Sequence, residues 1–525
     1  MIKPRHGLHH TVGIRKALQQ IRIQIVFVRD PESAVRFLKW VIRRVIILSR
    51  RPFPWDRHRR KRPGPPRAPV AQTPIPFTIA VLGARAQTIL RPSSAVVHQL
   101  GKRKVDVVVA DTPKEAHSVG QPVVVLSSSP RLAVAPFDPR RYNPIGWPRQ
   151  VRDDVAALGS LDHLPPGVQA DRVVSRTDFE LIRHCHHVED VDSFHADAIS
   201  RAGTLIRLAA TGALIHVADR DPCLEAFLGE ELYNLLTTEI RDADPMTREL
   251  HSIRSRRTAL REHSEERRIR QIGNEALGTP VQVPSVSALV ATNRPAFTAW
   301  GITNVAKQNY PELELILALH GDGFDEDEMH GALANLGCAF EVIRIPSTKS
   351  YADVLNAASQ HASGTLLTTM DDDDVYDADH IWDLVLAREY SGAHLVGKGL
   401  EIIYLARSDQ TIVRNSYESE RYSPNPAGST LMIARDDLDA LGGWQAPPNV
   451  DTHLIKRVIQ SGGGVYRTHG RGYIVLRHSS HTWNATDQYF RSPASSIHRG
   501  WHGRLSGLDD QRPSVLTSTS VATGR

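Results

Sequence analysis

The chain has 525 residues, of which 41% are hydrophobic and 23% charged, and carries a net charge of +6. That length is too great for one ordinary core, so two or three domains are expected, in a composition typical of a globular protein. Three scattered cysteines, Cys185, Cys223 and Cys338, exclude a disulfide framework and a cysteine metal site and favour a reducing, cytoplasmic setting. No apolar h-region follows the basic start, and no run of about 18 uncharged apolar residues occurs, so neither a secretory signal nor a membrane-spanning helix is expected.

Residues 1–72 read as a basic arm. From Pro31 to Arg51, Val35, Phe37, Leu38, Trp40, Val41, Ile42, Val45, Ile46 and Leu48 make a broad apolar face beside Lys39, Arg43, Arg44, Arg50 and Arg51. A helix of this kind either docks on its own protein or lies on an anionic membrane surface. A basic, proline-rich linker follows, Arg57 to Pro66. Its charge comes without aromatic interleaving or a binding motif, so no nucleic-acid partner is expected.

Residues 75–245 alternate strand and helix patterns. Phe77–Leu82, Val105–Ala110 and Pro122–Leu126 read as buried strands, 194–210 as a helix, 213–218 as a strand and 222–236 as a helix, which predicts a Rossmann-like accessory domain. The helix, small-residue turn and strand from Arg201 to Ile215 resemble the nucleotide-binding half of GT-B glycosyltransferases, although no Gly-x-Gly-x-x-Gly follows the first strand. The run Arg183-His184-Cys185-His186-His187 lacks the second, distant ligand pair that a zinc site needs, and reads as surface or packing. Residues 246–280 are rich in arginine and glutamate at helical spacing, which predicts a solvated helical connector.

Residues 281–490 carry the most informative pattern. Strand patterns at 285–291, 313–320, 340–345 and 365–370 alternate with helical ones, which predicts a mostly parallel sheet wrapped by helices. Ligands bind beyond the carboxyl ends of such strands. There lie Thr292-Asn293-Arg294-Pro295, His320-Gly321-Asp322 and the four acids Asp371-Asp372-Asp373-Asp374. Two carboxylates ~4 Å apart repel by about 4 kcal/mol at an effective dielectric of ~20, so four in a row call for a cation. A helix cap needs only one or two of them. A calcium loop starting at Asp371 fails, with Tyr376 where glycine is required and Trp382 where glutamate is required.

These residues resemble the family 2 glycosyltransferases of GT-A fold. The likeness rests on the Thr292–Pro295 loop, the Gln308–Ile316 run, Asn356-Ala357-Ala358 upstream of Ala362-Ser363-Gly364, the Met370–Tyr376 acids, and Gly442-Gly443-Trp444 followed by Asp451. The loop Leu319-His320-Gly321-Asp322-Gly323 departs from the family's Val-Asp-Asp-Gly-Ser/Thr pattern and leaves Asp322 as its acid. The resemblance implies an inverting, metal-dependent transfer of a sugar from a UDP- or GDP-sugar to a hydroxyl of a glycan or lipid-linked envelope precursor, at the cytosolic membrane face. It implies that Asp371 and Asp373 form a D-x-D pair, which an extended chain would turn to one side. They would hold Mg²⁺ or Mn²⁺, with His478 as a further metal or diphosphate ligand.

By the same resemblance Asp371 and Asp372 would contact the nucleotide together with Thr292, Arg294, Asp322 and Asn356, and Asp451 would be the general base. Lys398 could approach a phosphate, and His481 and Trp483 could line the acceptor side. A non-catalytic scaffold and a nucleotidyl or phosphoryl transferase are the alternatives. Residues 491–525 read as a polar tail, disordered from 505.

Overall fold

The structure, a computed structural model, describes residues 78–90, 97–99, 105–117, 119, 121–142, 155–157, 182–183, 185–190, 195–278, 283–414, 419–445, 449–479, 485–492, 494–509 and 511–516. The basic arm, His184, His481 and Trp483 lie outside them. Four short strands open the described chain: β1 (Ile79–Leu82), β2 (Val97–Gln99), β3 (Val107–Ala110) and β4 (Val123–Val125). They pair in parallel in the order β2-β1-β3-β4. β3 is buried throughout, which is why it reads as an unbroken apolar run instead of alternating.

A second parallel sheet joins β5 (Val155–Ala157), β6 (His187–Glu189) and β7 (Ile215–His216). The helix leading to β7, α1 (Ala198–Thr211), starts on Asp197, whose carboxylate accepts from the Ser200 amide, and stops at Gly212 with φ 82°. The helix expected over 222–236 is two helices, α2 (Pro222–Leu228) and α3 (Glu230–Leu236), separated by Gly229 at φ 83°.

The connector differs from the expectation. It folds as α4 (Pro245–His263) and α5 (Glu265–Leu277), broken at Ser264. Arg248, Arg256, Arg257, Arg267, Arg268 and Arg270 are buried on these two helices. Arg257 pairs with Asp383 at 2.8 Å and with Asp379 at 2.5 Å, Arg267 with Glu389 at 2.7 Å, and Glu249 with Arg471 at 2.7 Å. Arg267 also stands 5.4 Å from the Trp382 ring centre. Arginine stems pack as apolar surface once the planar heads find fixed partners, so a pattern that looks solvated can be an interior one.

The main sheet has eight strands in the order β10-β9-β8-β11-β17-β13-β18-β16. They are β8 (Val286–Thr292), β9 (Leu313–His320), β10 (Ala339–Ile345), β11 (Leu366–Thr369), β13 (Leu395–Lys398), β16 (Arg421–Tyr422), β17 (Met432–Ala434) and β18 (Val465–Thr468). The first four in that order run parallel to one another, so Thr292, His320 and Thr369 end at one edge. Val286, Ala288, Val290, Leu315, Leu317 and Leu319 belong to one apolar cluster, whereas Leu289, Ile316, Ala318 and Ile343 belong to another. That period of two places a core on each face of the sheet. The helices of this region include α6 (Thr298–Ala306), α7 (Glu326–Leu333), α8 (Tyr351–His361), α9 (His380–Ser391), α10 (Arg435–Ala440) and α11 (Val450–Gln460).

A five-stranded sheet, β12-β19-β14-β15-β20, closes the molecule beside the acids. It comprises β12 (Val375–Tyr376), β14 (Ile402–Leu405), β15 (Gln410–Val413), β19 (Tyr473–Arg477) and β20 (Ser496–Arg499). The described residues 494–509 and 511–516 are therefore folded and not part of a disordered tail. β20 pairs with β15, and Val515 and Leu516 pack with Tyr404 and Ile474. Two apolar residues in a polar run were too weak a signal to read.

Candidate active site

The acids are delivered by β11 but do not continue it. Residues 371–374 turn between β11 and β12, so the extended geometry expected to align Asp371 with Asp373 is absent and each acid has its own surroundings. Asp372, Asp373 and Asp374 are buried, and Asp371 is the half-exposed member. None of the four simply faces solvent.

Asp372 and Asp373 share one cation. Arg294 Nη1 donates to Asp373 Oδ2 at 2.6 Å, Nε donates to Asp372 Oδ2 at 3.2 Å, and Nη2 donates to Asp372 Oδ1. Thr292 Oγ1 donates to Asp372 Oδ2. His478 Nε2 lies 2.8 Å from the same Asp373 oxygen that Arg294 engages. Phe297 stacks on the His478 ring at 4.6 Å and lies 5.1 Å from the Arg294 guanidinium, so one buried ring steadies both groups. Burial alone would lower the Arg294 pKa, but Asp373 and Asp372 outweigh it and hold it above its usual range. Burial and then Asp373 push the Asp372 carboxyl up against the pull of Arg294.

Asp374 points elsewhere and pins the turn. Its Oδ2 accepts from Tyr473 Oη at 2.8 Å and Ser429 Oγ at 3.0 Å, and its Oδ1 accepts from the Leu476 amide at 3.1 Å. Trp300 Nε1 and Asn304 Nδ2 donate to its backbone oxygen. Gln308 Nε2 donates to the Asp377 carbonyl, and the Asn309 amide to that of Ala378. The Gln308-Asn309 motif therefore grips the backbone that follows the acids. Trp300, Asn304, Ser429 and Tyr473 gave no sequence signal, because Asp374 is 55 to 99 residues away from them. The Asp374 carboxyl is raised to about 7, by burial first and then by Asp373.

Asp451 arrives from the first turn of α11. A Cβ on Gly428 would stand 2.0 Å from its Oδ2, so only glycine admits the carboxylate there. The Gly428 carbonyl accepts from Thr369 Oγ1 at 3.0 Å, two residues before Asp371. Burial raises the Asp451 carboxyl. Asp371 is raised well above its usual range, by burial and then by Asp374, Asp373, Asp372 and Asp451 in turn. Tyr351, the first residue of α8, is 42% exposed, and its phenol feels both Asp371 and Asp451.

Among the described residues, no hydrogen bond joins Asn356, Asp322 or Lys398 to the four acids. Both polar ends of the Asn356 side chain engage the Trp444 backbone at 2.8 Å, fixing the loop that leads to α11. Asp322 is exposed in the loop after β9. Lys398 is wholly buried, its ammonium held at 2.6 Å by both Asp383 and the Arg471 carbonyl, so it cannot approach a phosphate.

The donor chemistry suits a hard divalent cation: carboxylate oxygens, an imidazole, and a half-exposed Asp371 whose charged neighbours are other carboxylates. Among the described residues, however, no three His, Cys, Asp or Glu side chains form a ready metal cage. At this site Arg294 stands among the candidate ligands. In the other candidate cluster, His187 pairs with Glu189 at 2.8 Å and His186 contacts Arg248, consistent with packing.

Residues 288–425 match the model of Glycosyl transferase family 2. This stretch forms a family 2 glycosyltransferase domain. The domain has the mixed α/β architecture of the GT-A type, and its match ends ahead of Asp451 and His478. No curated protein matches the chain. Among solved structures, the chain is similar to the mannosyltransferase PcManGT from Pyrobaculum calidifontis in complex with GDP-Man and Mn2+, at 16% identity and TM-score 0.30, over 43% of this chain and 66% of that one. It is also similar to TarS 1-349 from S. aureus, at 12% identity and TM-score 0.31, over 37% of this chain and 60% of that one. The chain thus spans less than two thirds of either structure. Among the described residues no helix is long and apolar enough to cross a membrane.

Proposed function

We propose that the glycosyltransferase domain performs an inverting, metal-dependent transfer from a nucleoside-diphosphate sugar to a hydroxyl acceptor. The observation that carries this reading is the meeting of two acidic centres from distant parts of the chain. The Asp371–Asp374 turn and Asp451 are joined through Thr369 and Gly428 at the carboxyl edge of the parallel strands. One centre can hold the leaving group while the other accepts a proton.

In this reading Asp451 takes the proton from the acceptor hydroxyl as that oxygen attacks the anomeric carbon, and the bond to the nucleoside diphosphate breaks. Its desolvated carboxylate is a stronger base than an exposed one. Asp371, Asp373 and His478 would hold Mg²⁺ or Mn²⁺, which as a Lewis acid neutralises the diphosphate leaving group. Thr292 and Asp372 fix Arg294, and Asp322 would contact the nucleotide from the exposed loop after β9. The acceptor class we infer is a glycan or lipid-linked precursor at a membrane surface. That part rests on the basic amphipathic pattern of residues 31–51.

The test is a panel of UDP- and GDP-sugars with Mn²⁺, reading release of the nucleoside diphosphate. Asp373→Asn is expected to lose metal-stimulated turnover by about 10²–10³-fold with an unchanged circular dichroism spectrum. Full activity in that variant overturns the assignment. Release of inorganic diphosphate instead of a nucleoside diphosphate points to nucleotidyl transfer.

A further inference from the structure

We propose that Arg294 is an internal counter-cation of the acidic turn, anchored on Asp372 and competing with a divalent cation for Asp373. The inference rests on the metal reading above. Arg294 spans two carboxylates with three nitrogens, and one of the oxygens it holds is also the one that faces His478. Phe297 sits against both Arg294 and His478, so the guanidinium is braced in place and does not hang in solvent. Only 18% of its side chain is exposed.

A buried pair of carboxylates without a cation is costly, and a fixed guanidinium relieves that cost in the metal-free protein. The same relief must be given up, in part, before an ion can take the Asp373 oxygen. Metal affinity is thereby lowered in the empty enzyme. A nucleoside diphosphate, whose phosphates are the natural partners of a planar guanidinium, offers Arg294 somewhere else to bind. Metal and nucleotide would then bind with mutual support, each releasing a partner for the other.

The experiment titrates the full chain with Mn²⁺ alone, reading free Mn²⁺ by electron paramagnetic resonance. The set is the wild type, Arg294→Gln, Arg294→Lys and the double variant Arg294→Gln, Asp373→Asn. Arg294→Gln is expected to bind Mn²⁺ at least tenfold more tightly than the wild type, and the double variant to lose that gain. Arg294→Lys should fall between the wild type and Arg294→Gln, because one ammonium does not span both carboxylates. If Arg294→Gln fails to fold by circular dichroism, the Arg294→Lys comparison decides. There, tighter binding than wild type supports the inference and equal or weaker binding overturns it. Equal or weaker binding in a folded Arg294→Gln likewise overturns it but leaves the metal reading standing. No Asp373-dependent binding in any variant overturns both.

Discussion

Asp451 has two possible jobs that differ in magnitude. As an acid in the first turn of α11 it interacts with the helix dipole, worth about 0.3–1 kcal/mol of stability. As a general base it is worth about 10²–10⁴-fold in rate. Asp451→Asn is therefore expected to lower kcat by that factor, leave the donor KM unchanged and shift the urea midpoint only slightly. A kcat within tenfold of wild type would leave Asp451 only the helix role. Its pKa gives a second reading. Desolvation raises it above the ordinary 3.8, so the acid limb of kcat/KM should lie above that value, with activity gained as pH rises through it. The stability linkage runs the other way. A carboxyl raised in the fold stabilises the native state below its unfolded pKa, and that contribution is lost as pH rises through the folded value.

At this same scale the sequence located the acids but could not divide their labour. Four consecutive aspartates look alike until the turn sends Asp372 and Asp373 to Arg294 and Asp374 to Ser429 and Tyr473. Lys398 failed for a related reason. A lysine on a strand reads as a reaching cation, and nothing local reveals that Asp383 waits beneath it.

At the scale of elements, β8, β9 and β11 were legible because strands buried on both faces are near-continuously apolar. Helices α4 and α5 were misread because charge pattern alone cannot separate a solvated face from a paired one. Arg257 tests the difference. Its guanidinium bonds both Asp383 oxygens, with Nε at 2.8 Å and Nη2 at 3.1 Å, and it also engages Asp379. Burial pushes the Asp383 carboxyl up, but Arg257 and then Lys398 outweigh it and hold it well below 3.8.

Arg257→Ala leaves the buried Asp383 with one cation fewer, which should cost about 3–5 kcal/mol in urea unfolding at pH 7. A solvated connector would lose under about 1 kcal/mol from the same change. Because the Asp383 pKa is depressed, its share of stability is full above 3.8 and lost as pH falls through the folded value. The gap between wild type and Arg257→Ala should accordingly narrow in acid.

At the scale of the molecule, the described residues, which fall within 78–516, belong to one compact unit. One apolar cluster contains Val134, Leu205, Leu224 and Leu232 from the N-terminal region together with Val286, Leu317, Trp382 and Tyr466 from the transferase region. The buried arginine pairs of α4 run across the same contact. A transferase region cut free at residue 283 would expose this apolar surface and leave Asp383 and Arg471 without Arg257 and Glu249. Separate domains would unfold in separate steps, whereas a shared core couples them. The full chain is therefore expected to unfold in urea in a single transition, with far-ultraviolet circular dichroism and tryptophan fluorescence coinciding. Residues 283–516 alone should aggregate or melt at markedly lower urea. Two resolved transitions, or a fragment as stable as the full chain, would show instead that the N-terminal region is an independent attachment. The apolar cluster would then be an ordinary interface between bodies that fold alone.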